Sequence, residues 1–236
     1  MTEHAVSPTE GPDLSRVKST GHLAGVFYMI IVATGIFSLA YAPGVFTNRD
    51  DPAATLAAIE QQPQLYRFFI ASGFLCYATF APLVATLYRL FEGSGRGIAL
   101  SMALLAAVSV PMSIVGVSDL YALLEIAISG DRDALALAAT ADRVDAYYQA
   151  IRNSTLFWGL WLMPFGMLAW RSRSIPRVLG LFLMLGCVGY TMNFFGPILW
   201  SGYIASPIGE VVAIPQSIGE IGTALWLLIM GARPAR

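Results

Sequence analysis

GHLAGVFYMIIVATGIFSLAY, residues 21–41, is the stretch on which the fold turns. A helix that crosses a bilayer needs about 20 mainly apolar residues, each rising about 1.5 Å. This run meets that length without one Asp, Glu, Lys or Arg. It follows a polar tail, residues 1–20, that carries Glu3, Glu10 and Asp13. A signal peptide has a basic start and a shorter apolar core, so the run reads as a retained span.

Five more blocks of the same kind follow: 68–90, 98–118 with a helical continuation to 128, 154–170, 178–200 and 208–230. The fourth block is short unless its helix begins earlier, near Tyr147. The expected fold is therefore all-α: a polytopic bundle of six transmembrane helices over residues 21–231, with tails 1–20 and 232–236. Composition agrees. Hydrophobic residues make up 56% of the chain, against roughly 45–50% in soluble domains. Charged residues make up 12%, against roughly 25%. That excludes a disordered chain, and a net charge of −1 lacks the basic footprint of a nucleic-acid binder.

The basic residues set the expected orientation. Arg16, Lys18, Arg89, Arg96, Arg171, Arg173, Arg177, Arg233 and Arg236 fall on one side of a six-span path. Arg49, Arg67, Arg132, Arg143 and Arg152 fall on the other, among Asp50, Asp51, Glu60, Asp131, Asp133, Asp142 and Asp145. Both termini are then cytoplasmic, and the plasma membrane is the expected location. The cytoplasmic connections 93–97 (GSGRG) and 171–176 (RSRSIP) read as tight turns. The external ones, about 42–67 and 129–153, are long. Asp51–Pro52 opens DPAATLAAIEQQ as a short helix. Val144, Tyr147, Tyr148 and Ile151 recur at helical spacing. They read as an amphipathic lead-in with tyrosines at headgroup level, or as a lid.

Glycines at 21, 25, 180, 186, 189, 219 and 222 suit close helix packing in lipid. Pro82, Pro111, Pro164, Pro197 and Pro215 lie inside five of the six blocks. Each removes a backbone donor and tends to kink its helix, which suits walls round a cavity or ordinary membrane helices.

Glu220 is the main anomaly. Ten residues before the end of the last block, or roughly 15 Å, it falls near the bilayer midplane. A charge there costs at least about 2.5 kcal/mol, so Glu220 is expected to face inward, paired or protonated. Gln216, four residues earlier, shares its face. Asn193 is a second deep polar group and Tyr190 a nearby hydroxyl, with Tyr28, Tyr77 and Tyr121 as further hydroxyls. Two readings stand for Glu220: a coordinating or proton-carrying group, and a hydrogen-bonded structural carboxyl. Asp119, Glu125 and Glu210 fall toward the external side, as an expected vestibule or as solvated helix-end acids.

Catalytic chemistry finds little support. His4 is in the tail and His22 at a helix start; Cys76 and Cys187 lie in apolar blocks and read as buried thiols. That inventory is too thin for a zinc site. No cofactor or metal is expected. A serine hydrolase lacks a base at depth, a two-aspartate protease lacks its pair, and GSGRG between two membrane helices is no phosphate loop.

Four stretches together resemble the DUF4386 family of uncharacterised integral membrane proteins: AGVFYMIIVATGIFS (24–38), LVATLYRLF (83–91), SIPRVLGLFLMLGCVGY (174–190) and SIGEIGTALWLLIMG (217–231). The last is the most specific, with Glu220 where that family carries its usual glutamate. The resemblance implies a membrane location and no established reaction. Three functions remain open: a small transport-like protein built on a protonatable Glu220, a non-catalytic scaffold, sensor or accessory subunit, and an intramembrane lipid-modifying enzyme. The expected partners are the lipid bilayer, a small solute or proton, and a second copy of the chain, with no nucleic acid.

Overall fold

The computed structural model describes residues 14–234. His4, the acids of the first tail and Arg236 lie outside them. Every regular element among the described residues is helical: α1 (Leu14–Gly35), a π-helical turn (Ile36–Tyr41), α2 (Ala42–Phe46), α3 (Pro52–Gln61), α4 (Pro63–Ser129), α5 (Ala134–Leu160), α6 (Leu162–Ser172), α7 (Arg177–Leu199) and α8 (Ile208–Met230). Four segments are long and apolar enough to cross a membrane: Leu14–Phe46, Pro63–Ser129, Arg177–Leu199 and Ile208–Met230. They turn large apolar side chains outward, among them Leu75, Leu104, Val115, Val188, Val211 and Ile229. Such a surface points to a membrane protein, since water rarely meets so much contiguous apolar area.

The GSGRG segment, expected as a turn between helices, is tighter than that. Helical bonding runs through it, and only Gly95 leaves helical geometry. The chain doubles back there. Tyr66 Oη donates to Leu120 O at 2.9 Å, and a Cβ on Gly73 would press on Val117. α4 is thus two antiparallel arms, 63–94 and 96–129, which match the second and third expected blocks.

The fourth block also differs from expectation. Its helix begins at Ala134, where Asp133 caps it by accepting from Ala136 N at 2.7 Å. It is interrupted after Leu160, because Pro164 has no N–H to offer that carbonyl. Tyr147 and Tyr148 pack into the protein and do not stand free on its surface. Tyr147 is buried edge-on against Phe69, and Tyr148 bonds Thr47 at 2.7 Å beneath the Arg49 guanidinium. Arg49–Asp145 at 2.8 Å and the Arg132–Glu60 pair fasten the connection after the first span to the one before α5 and to α5 itself. α3 forms as expected, with Asp51 accepting from Ala54 N.

The long helices close into a ring, with α1 against α4, α4 against α5, α5 against α7, α7 against α8, and α8 against α1. Glycines set the tightest approaches. A Cβ on Gly25 would collide with the backbone at Leu227–Leu228, and one on Gly189 with the Val212 carbonyl. His22 Nδ1 lies 2.8 Å from Leu228 O, across the same α1–α8 seam. Inside the ring, Trp161 stacks on Phe165 at 5.2 Å and meets Phe80 at 5.6 Å. Both cysteines are free and buried.

Candidate functional site

Above the Trp161–Phe165 stack the ring leaves a cavity of about 260 Å³. Its walls are Tyr28, Val32, Ile36 and Leu39 from α1 and the π turn, Cys76, Tyr77 and Phe80 from α4, and Trp158 from α5. α7 adds Tyr190, and α8 adds Ser217, Glu220 and Ile221. Glu220 is the one acid among them.

The register of α7 on α8 explains how Glu220 finds a partner. Gly189 abuts Val212, Gly186 abuts Gln216 and Gly219 abuts Phe182–Leu183. The two helices therefore run antiparallel, and Glu220 is level with residues near 182, about two turns from Tyr190. Side chains lean toward the N-terminus of their own helix. On antiparallel helices Tyr190 and Glu220 lean toward one another, and Tyr190 Oη donates to Glu220 Oε2 at 3.2 Å. Gly159 makes this possible from the α5 side, because a Cβ there would strike the Tyr190 Cβ.

Tyr28 faces the same carboxylate from α1. It is 2% exposed, packs on Trp161 and Phe165, and presents its hydroxyl to Glu220. A carboxylate offers about four acceptor positions, and the two tyrosines leave some of them free. Among the described residues no Arg, Lys or His pairs with it. The group is thus equipped to take a proton or to receive a cation.

The π turn shapes the mouth. Pro43 cannot donate to the carbonyl four residues back, and its ring crowds that turn. The helix widens just before it, with Ala42 N–H reaching Phe37 O five residues back. The turn rests on α1, α2 and α4, and its backbone stands clear of α8.

The other expected residues are dispersed. Gln216 sits in the seam against Gly186, and no hydrogen bond joins it to Glu220 among the described residues. Asn193 belongs to the far end of α7, where it accepts from Tyr203 Oη at 2.7 Å and donates to Gly209 O at 3.1 Å. It therefore shapes the α7–α8 connection. Asp119 is buried and accepts from Arg143 Nη1 at 2.9 Å, joining α4 to α5. Glu125 and Glu210 are exposed, and α8, which carries Glu210, does not touch α4. The three acids do not form one rim. Tyr121 is 52% exposed and turned away from the cavity residues. Trp158, Gly159 and the π turn went unmarked in the sequence; Pro43 was the available signal for the last of these.

A ring of apolar-faced helices around a cavity that holds one carboxylate defines the class: an all-α, polytopic membrane-type protein. The chain belongs to DUF4386, a domain of unknown function, whose family model matches residues 23–231. No curated protein and no solved structure matches it.

Proposed function

We propose that the chain is a six-span protein of the plasma membrane with both termini cytoplasmic, and that it is a small transport-like protein working through Glu220. The observation that carries this reading is a carboxylate lining a cavity of about 260 Å³, held by Tyr190 and paired with no cation among the described residues. A charge in lipid is costly enough that such a group serves transfer or binding by default. The doubling of α4 at Gly95 and the α5–α6 run support six crossings. The basic residues at 89, 96, 171, 173 and 177 support the orientation.

In this reading Glu220 alternates between its neutral and charged forms, and Tyr190 follows by donating to the charged one. The enzyme reading draws less support. Ser217 shares the cavity, and its hydroxyl is committed to Ala213 O at 3.1 Å. Carboxyl infrared difference spectroscopy of the protein in lipid, with Glu220→Gln as the assignment control, tests the proposal. A carboxyl band that responds to pH and vanishes in the variant is expected. A band that does not move, in a normally folded variant, leaves the accessory-subunit reading as the better account.

A further inference from the structure

Three features of the cavity bear on what it takes besides a proton. The first is charge. Around Glu220 stand Tyr28 from α1, Cys76 and Tyr77 from α4, and Tyr190 from α7. None of these brings a positive charge, so an arriving ligand must supply it. The second is the nature of the wall. Phe80 and Trp158 complete a lining of five aromatic rings, and aromatic rings attract cations strongly when water is excluded. Oxygen donors are few: Glu220, the tyrosine hydroxyls, and a Ser217 hydroxyl already bonded to its own helix. A hard inorganic cation wants about six oxygens. A cation that carries its own apolar shell needs only one carboxylate and the rings. The third is size. An engineered cavity of about 150 Å³ holds benzene, and about 260 Å³ holds a somewhat larger body.

The way in is lateral. Lower in the bundle α1 and α8 are locked together at Gly21 and Gly25. Higher up, the π turn leans on α4 and its backbone stands clear of α8. Ile36 and Ile221, 57% and 38% exposed, stand on either side of that gap. In a bilayer it opens toward acyl chains, where an amphipathic cation accumulates.

We infer that the cavity binds a small organic cation, an ammonium group on an apolar body, which reaches Glu220 from the membrane between the π turn and α8. This rests on the reading of Glu220 as a working carboxylate and adds the ligand class. Exchange then balances simply: the neutral acid releases its proton, and the carboxylate receives the cation.

The test uses the full chain in lipid nanodiscs and two probes of one shape, benzyltrimethylammonium and its uncharged carbon analogue neopentylbenzene. Saturable quenching of tryptophan fluorescence reports binding. The cation is expected to bind at least tenfold more tightly than the analogue, to lose at least tenfold in Glu220→Gln, and to weaken as falling pH neutralises the acid. Equal affinity for the two probes overturns the inference on the wild-type protein alone, so a misfolded variant does not rescue it. Ile36→Trp narrows the gap and is expected to slow association; an unchanged rate overturns the lateral route. The infrared titration, run without probe, judges the proton reading separately. A titrating Glu220 with no preference for the cation keeps that reading and discards this one. Cation binding to a carboxyl that never titrates does the reverse.

Discussion

At the scale of single residues, Glu220 and Tyr190 are the pair to perturb. Removing the Tyr190 hydroxyl deprives the carboxylate of a hydrogen bond. Tyr190→Phe is therefore expected to shift the frequency of the Glu220 carboxyl band in the infrared experiment, because a hydrogen bond to that carboxyl is lost; an unshifted band counts against the contact. The stability cost should be small, about 1 kcal/mol. Arg143 predicts the opposite balance. Its partner Asp119 is 9% exposed while Arg143 itself is 52% exposed. Arg143→Met leaves a mostly buried carboxylate alone, and an expected loss of about 1–3 kcal/mol is read by thermal unfolding in detergent. Glu220 was conspicuous in the sequence because a charge interrupts an apolar run. Its partner was one tyrosine among several, since which hydroxyl reaches the carboxyl depends on helix register.

At the scale of elements, contact is set where a side chain is missing. Gly25 lets α1 lie on the backbone of α8, and Gly159 lets Tyr190 lie on α5. The two sites make different predictions. Gly25→Val forces the α1–α8 seam apart and should cost about 1–3 kcal/mol, read as a lowered unfolding temperature. Gly159→Ala has little bulk to add but meets the Tyr190 Cβ directly. Its expected signature is an altered Glu220 infrared band with most of the fold intact. Spacing made the Gly21–Gly25 pair legible as a packing surface. Gly159 carried no such pattern, because its partner is a single side chain on a helix remote in sequence. The π turn escaped for a related reason: a proline near a helix end is equally compatible with a kink, a cap or a widened turn until the next segment docks.

At the scale of the whole molecule, the proposed topology is open to a direct check. Cysteines introduced at Ser94, beside the Gly95 kink, and at Ser129 flank the second arm of α4 at its two ends. An impermeant thiol reagent applied to intact cells is expected to label the Ser129→Cys protein and spare Ser94→Cys, against a quiet background, since Cys76 and Cys187 are buried. Labelling of both, or of Ser94→Cys alone, rejects the orientation. The class of fold was legible in the chain because lipid demands long apolar helices with their backbone groups satisfied internally, and the helical blocks declare themselves by length and composition. That Glu220 would face other helices followed from its place inside an apolar run. What the tertiary structure alone decided is which polar groups meet. Asn193 and Tyr190 read alike as companions of Glu220, and Asp119 as a vestibule acid, yet Asn193 closes the α7–α8 connection, Asp119 pairs with Arg143, and Tyr190 reaches the carboxylate. Neighbours across a bundle are chosen by helix register, rotation and the lean of each side chain, and none of these is local in sequence.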